Sequence, residues 1–165
     1  WGAYMNEYPA WAAENSEFDG QAVETKRSIS MRGVRARGIR IPQDERDRFK
    51  FVDFQRCSFV TGGTMEKLLD LNARVEASEI EMGNRAGYGV HYLMPYRGAS
   101  PDTNYDFVIM RHYYSAKKRS DIVASYPEYR DMMNKKGYWD EFRANANCGP
   151  QSTYRVEWLY NTFAD

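Results

Sequence analysis

The chain has 165 residues, 42% of them hydrophobic, and its 23 basic residues balance 23 acidic ones. This length fits one domain, or one domain and part of a second, and the composition predicts a compact fold rather than disorder. The zero net charge removes the general electrostatic argument for binding nucleic acid, and no apolar run approaches the roughly 20 residues that cross a bilayer. We therefore expect neither a nucleic-acid partner nor a membrane span.

Residues 48–59 are rich in Phe and roughly alternate between apolar and polar, which predicts a strand. The TGGT turn that follows places Thr64 as the N-cap of a helix over residues 65–82, whose apolar positions recur at helical spacing. Gly83 then provides a stop for this helix. The segment therefore predicts a strand followed by a helix.

Two further strands are predicted at residues 87–96 and 105–114. The sequence RGASPDTN between them is dense in turn formers, so the two strands are expected to form a hairpin. Residues 117–145 predict a helical region that breaks near Pro127 and at Gly137.

A last strand is predicted at residues 153–163. The order of elements is then strand, helix, strand, strand, helix, strand, which is the split βαβ pattern of ferredoxin-like folds. We therefore predict an α+β fold in which two helices cover one face of a βαββαβ sheet. The other face is open, and pairing of such faces between copies forms an α+β barrel.

The first 40 residues weakly echo the later half of that unit, with a helix-like stretch, a turn containing Gly and a strand-like run. We predict that residues 1–40 are a remnant or the C-terminal half of a first repeat and that residues 41–165 form the complete domain. A coincidental order of helix and strand is the alternative. Residues 26–40 contain six basic residues and no acidic one, which favours an exposed edge strand and a linker over a phosphate site.

From residue 47 to 164 the element order is similar to that of the dimeric α+β barrel superfamily, which includes the antibiotic-biosynthesis-monooxygenase-like proteins. More narrowly, FVDFQRCSF followed by GxTMxKLLxLN, with a later Cys148, resembles bacterial proteins built from two such repeats. The resemblance implies a homo-oligomer, or pairing with a second ferredoxin-like repeat. It implies no single activity, since the superfamily includes haem-degrading and quinone-forming oxygenases, chlorite-detoxifying haem enzymes and proteins without known chemistry.

Cys57 lies near the end of the first predicted strand and Cys148 just before the last. These strands are antiparallel neighbours in a ferredoxin-like sheet, so a disulfide between the two residues is feasible. Two buried free thiols are the alternative. The chain starts at Trp1 rather than at Met, which indicates a processed product or a segment of a longer protein. Together with this start, a disulfide favours a periplasmic or secreted location, whereas free thiols favour the cytoplasm.

The two histidines flank the predicted hairpin symmetrically, because His91 lies ten residues before Pro101 and His112 lies ten residues after Asp102. In a regular hairpin they are opposed on one face, with side chains about 5 Å apart. Such a pair suits a haem ligand, a shared proton or a metal. Because no further ligand lies two residues away on either strand, we predict no metal site and no cofactor other than a candidate haem. Two unrelated imidazoles, or a bulge that separates them onto opposite faces, are the alternatives.

Alternation along the first and last predicted strands predicts a second cluster, on the open sheet face. The apolar neighbours on these strands are assigned to the helix side, which leaves for the open face Asp53, Gln55, Arg155, Glu157 and Asn161. With the histidines and Arg111 added, the catalytic candidates are His91, His112, Asp53 and Glu157, and the ligand-binding candidates are Gln55, Arg155, Asn161 and Arg111. An interlocked set of salt bridges across a subunit contact is the alternative.

The sequence contains no nucleotide-binding loop, HExxH zinc motif or GxSxG nucleophile motif. This argues against nucleotide-dependent enzymes, zinc proteases and serine hydrolases. Our first interpretation is a non-catalytic binding or assembly protein of the dimeric α+β barrel type, with a small-molecule pocket on the open sheet face. The alternative is a small cofactor-independent or haem-handling monooxygenase-like enzyme, which needs only a shaped pocket.

Overall fold

The computed structural model describes residues 30–38, 49–83, 88–97, 103–113 and 115–157. Within these ranges the protein is α+β, with one open antiparallel sheet and four helices. The strands are β1 (Ser30–Gly38), β2 (Phe49–Phe59), β3 (Tyr88–Arg97), β4 (Phe107–Tyr113) and β5 (Ala146–Glu157). The helices are α1 (Met65–Glu81), α2 (Ala116–Ala124), α3 (Tyr126–Lys135) and α4 (Tyr138–Asn145). The predicted α+β class is confirmed at this level.

The sheet has the order β1-β3-β4-β2-β5, and every neighbouring pair is antiparallel. The strand β2 therefore lies between β4 and β5. The predicted hairpin is confirmed, because β3 pairs with β4. Part of the basic run, residues 30–38, forms β1 at one edge of the described sheet, as predicted for an edge strand.

Each helix begins for a reason that is visible in the sequence. Thr64 and Ser115 are the N-caps of α1 and α2, and each side chain accepts a hydrogen bond from the backbone N–H three residues further on. Pro127 lies in the first turn of α3, where its missing N–H has no cost. Gly137 precedes α4 with a φ of 71°, a conformation that favours glycine. The two predicted breaks in the helical region are thus confirmed.

The four described helices form one layer on a single face of the sheet: α1, α2 and α4 contact its strands, and α3 packs against the other three helices. The side chains that fill this layer are those of Leu68, Leu71, Val75, Val90, Tyr92, Phe107 and Ile109. No described helix covers the other face. A polar residue on one face of the sheet therefore lies under the helices, whereas one on the other face is not covered by any described helix.

The last strand begins at Ala146 rather than at residue 153. Between the pairs Gln55↔Gln151 and Cys57↔Cys148, β5 has one more residue than β2, so Gly149 and its neighbour Pro150 form a bulge. Both residue types are typical of turns, but an edge strand accommodates them because one side of its backbone is not paired.

The two-part division of the chain stays a prediction. Its boundary after residue 40 lies outside the described residues, as do residues 1–29. Residues 30–38 pair with β3 and so belong to the same sheet as the later strands.

Candidate functional site

A cavity of about 500 Å³ lies between the helix layer and the sheet. All four helices and the strands β2, β3, β4 and β5 contribute side chains to its wall. Most of the wall is apolar or aromatic and includes Ile109, Tyr129, Trp139 and Phe142. Pockets of this size and character are typical of small-molecule sites.

Asp53 is the most deeply buried charged residue of the cavity wall, with 1% of its surface exposed. It lies in the middle of β2, directly opposite Arg111 on β4 and Thr153 on β5. One carboxylate oxygen, Oδ2, accepts a hydrogen bond of 2.7 Å from the hydroxyl of Tyr113. The other oxygen, Oδ1, is buried and has no hydrogen-bond partner among the described residues. Such a group is rare in folded proteins, because it has lost its water without gaining a donor.

Tyr113 is held as a hydrogen-bond donor by its surroundings. Burial, and then the hydrogen bond to Asp53, raise the pKa of Tyr113 above its ordinary value. Its phenol therefore stays protonated at neutral pH. The pair of Tyr113 and Asp53 presents to the cavity a neutral hydroxyl group and an acceptor oxygen.

Arg119 extends from α2 over the aromatic side chains of this region. Its Cζ lies 5.2 Å from the ring centre of Phe51 and 5.9 Å from that of Tyr113. This is the geometry of a cation–π contact. Its Nε is buried and has no hydrogen-bond partner among the described residues. Arg119 thus brings to the cavity a donor that the described protein does not use.

Arg111 has its hydrogen-bonding partners within the sheet. It donates to the side-chain oxygens of Gln55 and Gln151, in each case over 3.3 Å. Gln55 in turn donates to the carbonyl of Gly149 on β5. These contacts hold the guanidinium of Arg111 between the side chains of Gln55 and Gln151.

Between α1 and β3, the polar groups that line the cavity are paired with one another. Tyr88 donates a 2.7 Å hydrogen bond to Glu79, and the amide of Asn72 bonds both to the hydroxyl of Tyr92 and to the carbonyl of Leu68. These bonds join α1 to β3. The unpaired polar atoms therefore lie at the Asp53 end of the cavity.

The cavity opens where α2 meets α3. Val123 and Tyr126 both line it, yet they are 61% and 49% exposed. Residues that face both a cavity and solvent mark its mouth. A ligand can therefore enter at the junction of these two helices.

Part of the predicted polar cluster is gathered on one face, but it is the helix side and not the predicted open face. Asp53 and Gln55 line the cavity on the helix side, and so does Arg111. Arg155 is not part of this cavity wall. Its backbone pairs with that of Phe51 at the exposed edge of β5, and it lines the depression on the opposite sheet face. The strand β2 carries aromatic residues in both of its alternating rows, with Phe51 on the helix side and Phe54 on the other. Alternation of apolar residues therefore does not identify the covered face.

The two remaining members of that cluster are not assigned to the site. The backbone of Glu157 pairs with that of Phe49 at the end of β5. Its side chain lies outside what the structure describes, and so does all of Asn161.

The two histidines share the sheet face opposite the helices, but they are not directly opposed. His112 pairs with Gly89, and His91 pairs with Met110, so the register differs by two residues from the prediction. The rings are diagonal neighbours, with centres 5.1 Å apart and planes at 34°. The ring of His112 lies over Gly89, where a Cβ would be 2.2 Å from its Cε1. The absence of a side chain at residue 89 makes room for this arrangement.

The surroundings of His91 favour its neutral form. Burial, and then the positive charge of Arg35 opposite it on β1, lower the pKa of His91 below its ordinary value. Among the described residues, no three His, Cys, Asp or Glu side chains are grouped so that they could hold a metal ion.

Cys57 and Cys148 form a disulfide, and the predicted pairing is confirmed. Their Sγ atoms are 2.01 Å apart, and the two residues are register partners on β2 and β5. The link joins positions 91 residues apart in the chain. A disulfide is compatible with an extracellular protein.

A second, shallower depression of about 1050 Å³ lies on the sheet face opposite the helices. Phe54 and Tyr154 line it, with their ring centres 5.8 Å apart. Arg56 lines it too, over the ring of Tyr105. Its wall contains no polar atom as deeply buried and unpaired as Oδ1 of Asp53 among the residues described.

Comparison of the chain with protein-family models, with curated proteins and with solved structures gives no match. The fold and the two cavities therefore stand on the geometry alone. None of the four helices in the described ranges is long and apolar enough to cross a membrane.

Proposed function

We propose that the chain is a non-catalytic binding protein whose small-molecule ligand occupies the cavity between the sheet and the helices. The observation that carries this proposal is Asp53, which is 1% exposed and has one carboxylate oxygen without a partner in the described part of the chain. An unpaired buried polar group has a cost of about 1–3 kcal/mol, which a ligand donor would recover. The proposal keeps the predicted binding role but moves the pocket from the open face to the helix side.

Fluorescence titration with N-phenyl-1-naphthylamine tests this proposal. This neutral aromatic reporter is small enough for a cavity of about 500 Å³ and brightens in apolar surroundings. We expect saturable binding of one reporter per chain. Val75→Phe fills part of the cavity, and Val123→Trp narrows its mouth, so each should weaken binding by about tenfold or more, equivalent to ~1.4 kcal/mol.

Phe54→Leu is the matched control, because Phe54 lines the depression on the opposite face. It should leave reporter affinity unchanged. The proposal fails if the native protein shows no saturable binding. It also fails if Phe54→Leu weakens binding while both cavity variants bind normally.

We also propose that β2–β5 and their helices form a ferredoxin-like unit, which pairs its other sheet face with a second sheet in an α+β barrel. The strand order β3-β4-β2-β5 and the placement of every described helix on one face support this. So do the partly buried apolar side chains of Val52, Phe54 and Met110 on the opposite face. Covering such residues is the usual reason for two sheets to associate.

The oligomeric state tests the pairing. Size-exclusion chromatography with light scattering should give the mass of a dimer, and the double variant Phe54→Glu/Met110→Glu should give a monomer. Val123→Glu changes an exposed apolar residue on the helix side and should leave the dimer intact. A native protein that is monomeric at high concentration contradicts pairing between copies.

A cofactor-independent monooxygenase-like enzyme is the second candidate. It is favoured by the partnerless oxygen of Asp53, which is placed as a base beside the donor hydroxyl of Tyr113. Oxygen uptake with 1,5-dihydroxynaphthalene tests it, because oxidation by one O₂ yields 5-hydroxy-1,4-naphthoquinone and water. If the native protein oxidises this substrate and Asp53→Asn abolishes the oxidation, the protein is an enzyme. The binding proposal expects no turnover above that of the buffer.

A further inference from the structure

Two unused polar atoms of opposite character lie in the same part of the cavity wall. Oδ1 of Asp53 accepts no hydrogen bond, and Nε of Arg119 donates none, within the described part of the protein. Both side chains contact Tyr113, one through its hydroxyl and the other over its ring. A ligand that satisfies both must bring a donor and an acceptor to this end of the cavity.

The surrounding charges select a neutral ligand group. Asp53 attracts a cationic group on the ligand, but Arg111 and Arg119 line the same cavity and repel it. An anionic group meets Arg119 but also the carboxylate of Asp53. A neutral group with an N–H and a carbonyl meets neither repulsion.

The rest of the wall fits an aromatic body. Tyr129, Trp139 and Phe142 line the cavity and contact one another edge to face. Flat apolar rings pack well against such edges and faces.

We propose that the cavity binds uncharged aromatic compounds that carry a carboxamide-type group, with its N–H donated to Asp53 and its carbonyl accepting from Arg119. This inference rests on the proposed binding function. It adds the chemical class of the ligand. The two hydrogen bonds to Asp53 and Arg119 would each involve a charged group, and such bonds are stronger than those between neutral groups.

Four probes of matched shape test the class: 2-naphthamide, 2-naphthoate, 2-naphthamidine and naphthalene. Their affinities are measured by displacement of N-phenyl-1-naphthylamine. The amide supplies a donor and an acceptor, naphthoate only acceptors, the amidine only cationic donors, and naphthalene neither. We expect 2-naphthamide to bind at least about tenfold more tightly than each of the others.

Two variants should change the order of probe affinities in opposite directions, one toward the anionic probe and one toward the cationic probe. Asp53→Asn removes the negative charge and can present an N–H to the cavity, so it should favour 2-naphthoate over the amide. Arg119→Met keeps an apolar stem and removes the cation, so it should favour the amidine over naphthoate. Asp131→Asn and Arg130→Met change exposed residues of α3 and should retain the native order of affinities.

The outcomes separate the ligand class from the function. If 2-naphthoate or the amidine binds native protein most tightly, or if naphthalene equals the amide, the carboxamide class is wrong and the binding function stands. If the reporter itself does not bind, both are wrong. Should Asp53→Asn fail to fold, Arg119→Met still decides, since an unchanged order of affinities in that variant contradicts the proposed role of Arg119.

Discussion

Replacing Tyr113 with Phe removes one hydroxyl and leaves the ring in place. In the native protein this hydroxyl donates to Asp53 over 2.7 Å, and the two residues are only 7% and 1% exposed. A hydrogen bond to a charged group contributes about 1.5–3 kcal/mol, and a buried acceptor that loses its donor retains its desolvation cost. Because the other oxygen of Asp53 already lacks a partner in the described chain, we expect the variant to lose about 3 kcal/mol of unfolding free energy.

Equilibrium urea unfolding, followed by circular dichroism with the disulfide intact, measures this loss. Tyr126→Phe is the matched control, because Tyr126 lines the mouth of the same cavity at 49% exposure. Its effect should stay within about 0.5 kcal/mol. In the double variant Tyr113→Phe/Asp53→Leu neither polar partner remains. We expect its loss of unfolding free energy to be at least about 1 kcal/mol smaller than the sum of the losses in the two single variants.

The pH dependence of the same comparison has a definite sign. Burial and the bond to Asp53 raise the pKa of Tyr113 in the folded state. A raised folded pKa contributes stability that is fully present below the unfolded value, about 10 for tyrosine, and is lost as the pH rises through the folded value. The stability difference between native protein and Tyr113→Phe should therefore be constant below about pH 10 and shrink above it. A variant as stable as native protein, or a difference that widens at alkaline pH, refutes this reasoning.

Three further predictions follow from other parts of the molecule. Replacing Cys57 and Cys148 with Ala opens a loop of 91 residues and should lower the unfolding free energy by up to about 4.6 kcal/mol. Two free thiols by mass analysis of native protein would contradict the disulfide and remove the argument for a periplasmic or secreted location. Gly89→Ala puts a Cβ 2.2 Å from the ring of His112 and should lower the unfolding free energy by about 1–3 kcal/mol, as measured by thermal unfolding. Gly149→Ala is the control, because its Cβ would be 3.8 Å from the nearest atom. Titration with haem should produce no saturable shift of the Soret band of free haem; a shift that His91→Ala or His112→Ala abolishes would instead support the haem-handling alternative.

Local signals were enough to predict most of the elements. The cap at Thr64 and the breaks near Pro127 and at Gly137 depend on neighbouring residues alone, so the structure agrees with them. The pairing of Cys57 with Cys148 followed from the expected neighbourhood of two strands rather than from the cysteines themselves. Predictions that depended on counting along a strand were less secure. The strand β5 continues through the bulge at Gly149 to begin at Ala146, and a register difference of two residues separates the histidines from direct opposition.

The two residues that complete the site, Tyr113 and Arg119, were not among the candidates. Tyr113 lies two positions after Arg111 on β4, so it shares the face of Arg111 and could have been found by alternation once that face was known. For Arg119 the sequence contains no such signal. The helix α2 has no fully buried residue, so its pattern does not indicate which side meets the sheet.

Packing alone does not account for the polar groups at the Asp53 end of the cavity. If Asp53 served only the fold, a shape-matched apolar residue would avoid the cost of its unpaired oxygen. The polar groups between α1 and β3 are different, since Tyr88 and Glu79 satisfy one another there. That side of the cavity needs nothing from a ligand, while Asp53 offers an acceptor and Arg119 a donor. Under the proposed binding function, the polar end of a ligand would lie at Asp53 and its apolar body against the aromatic wall.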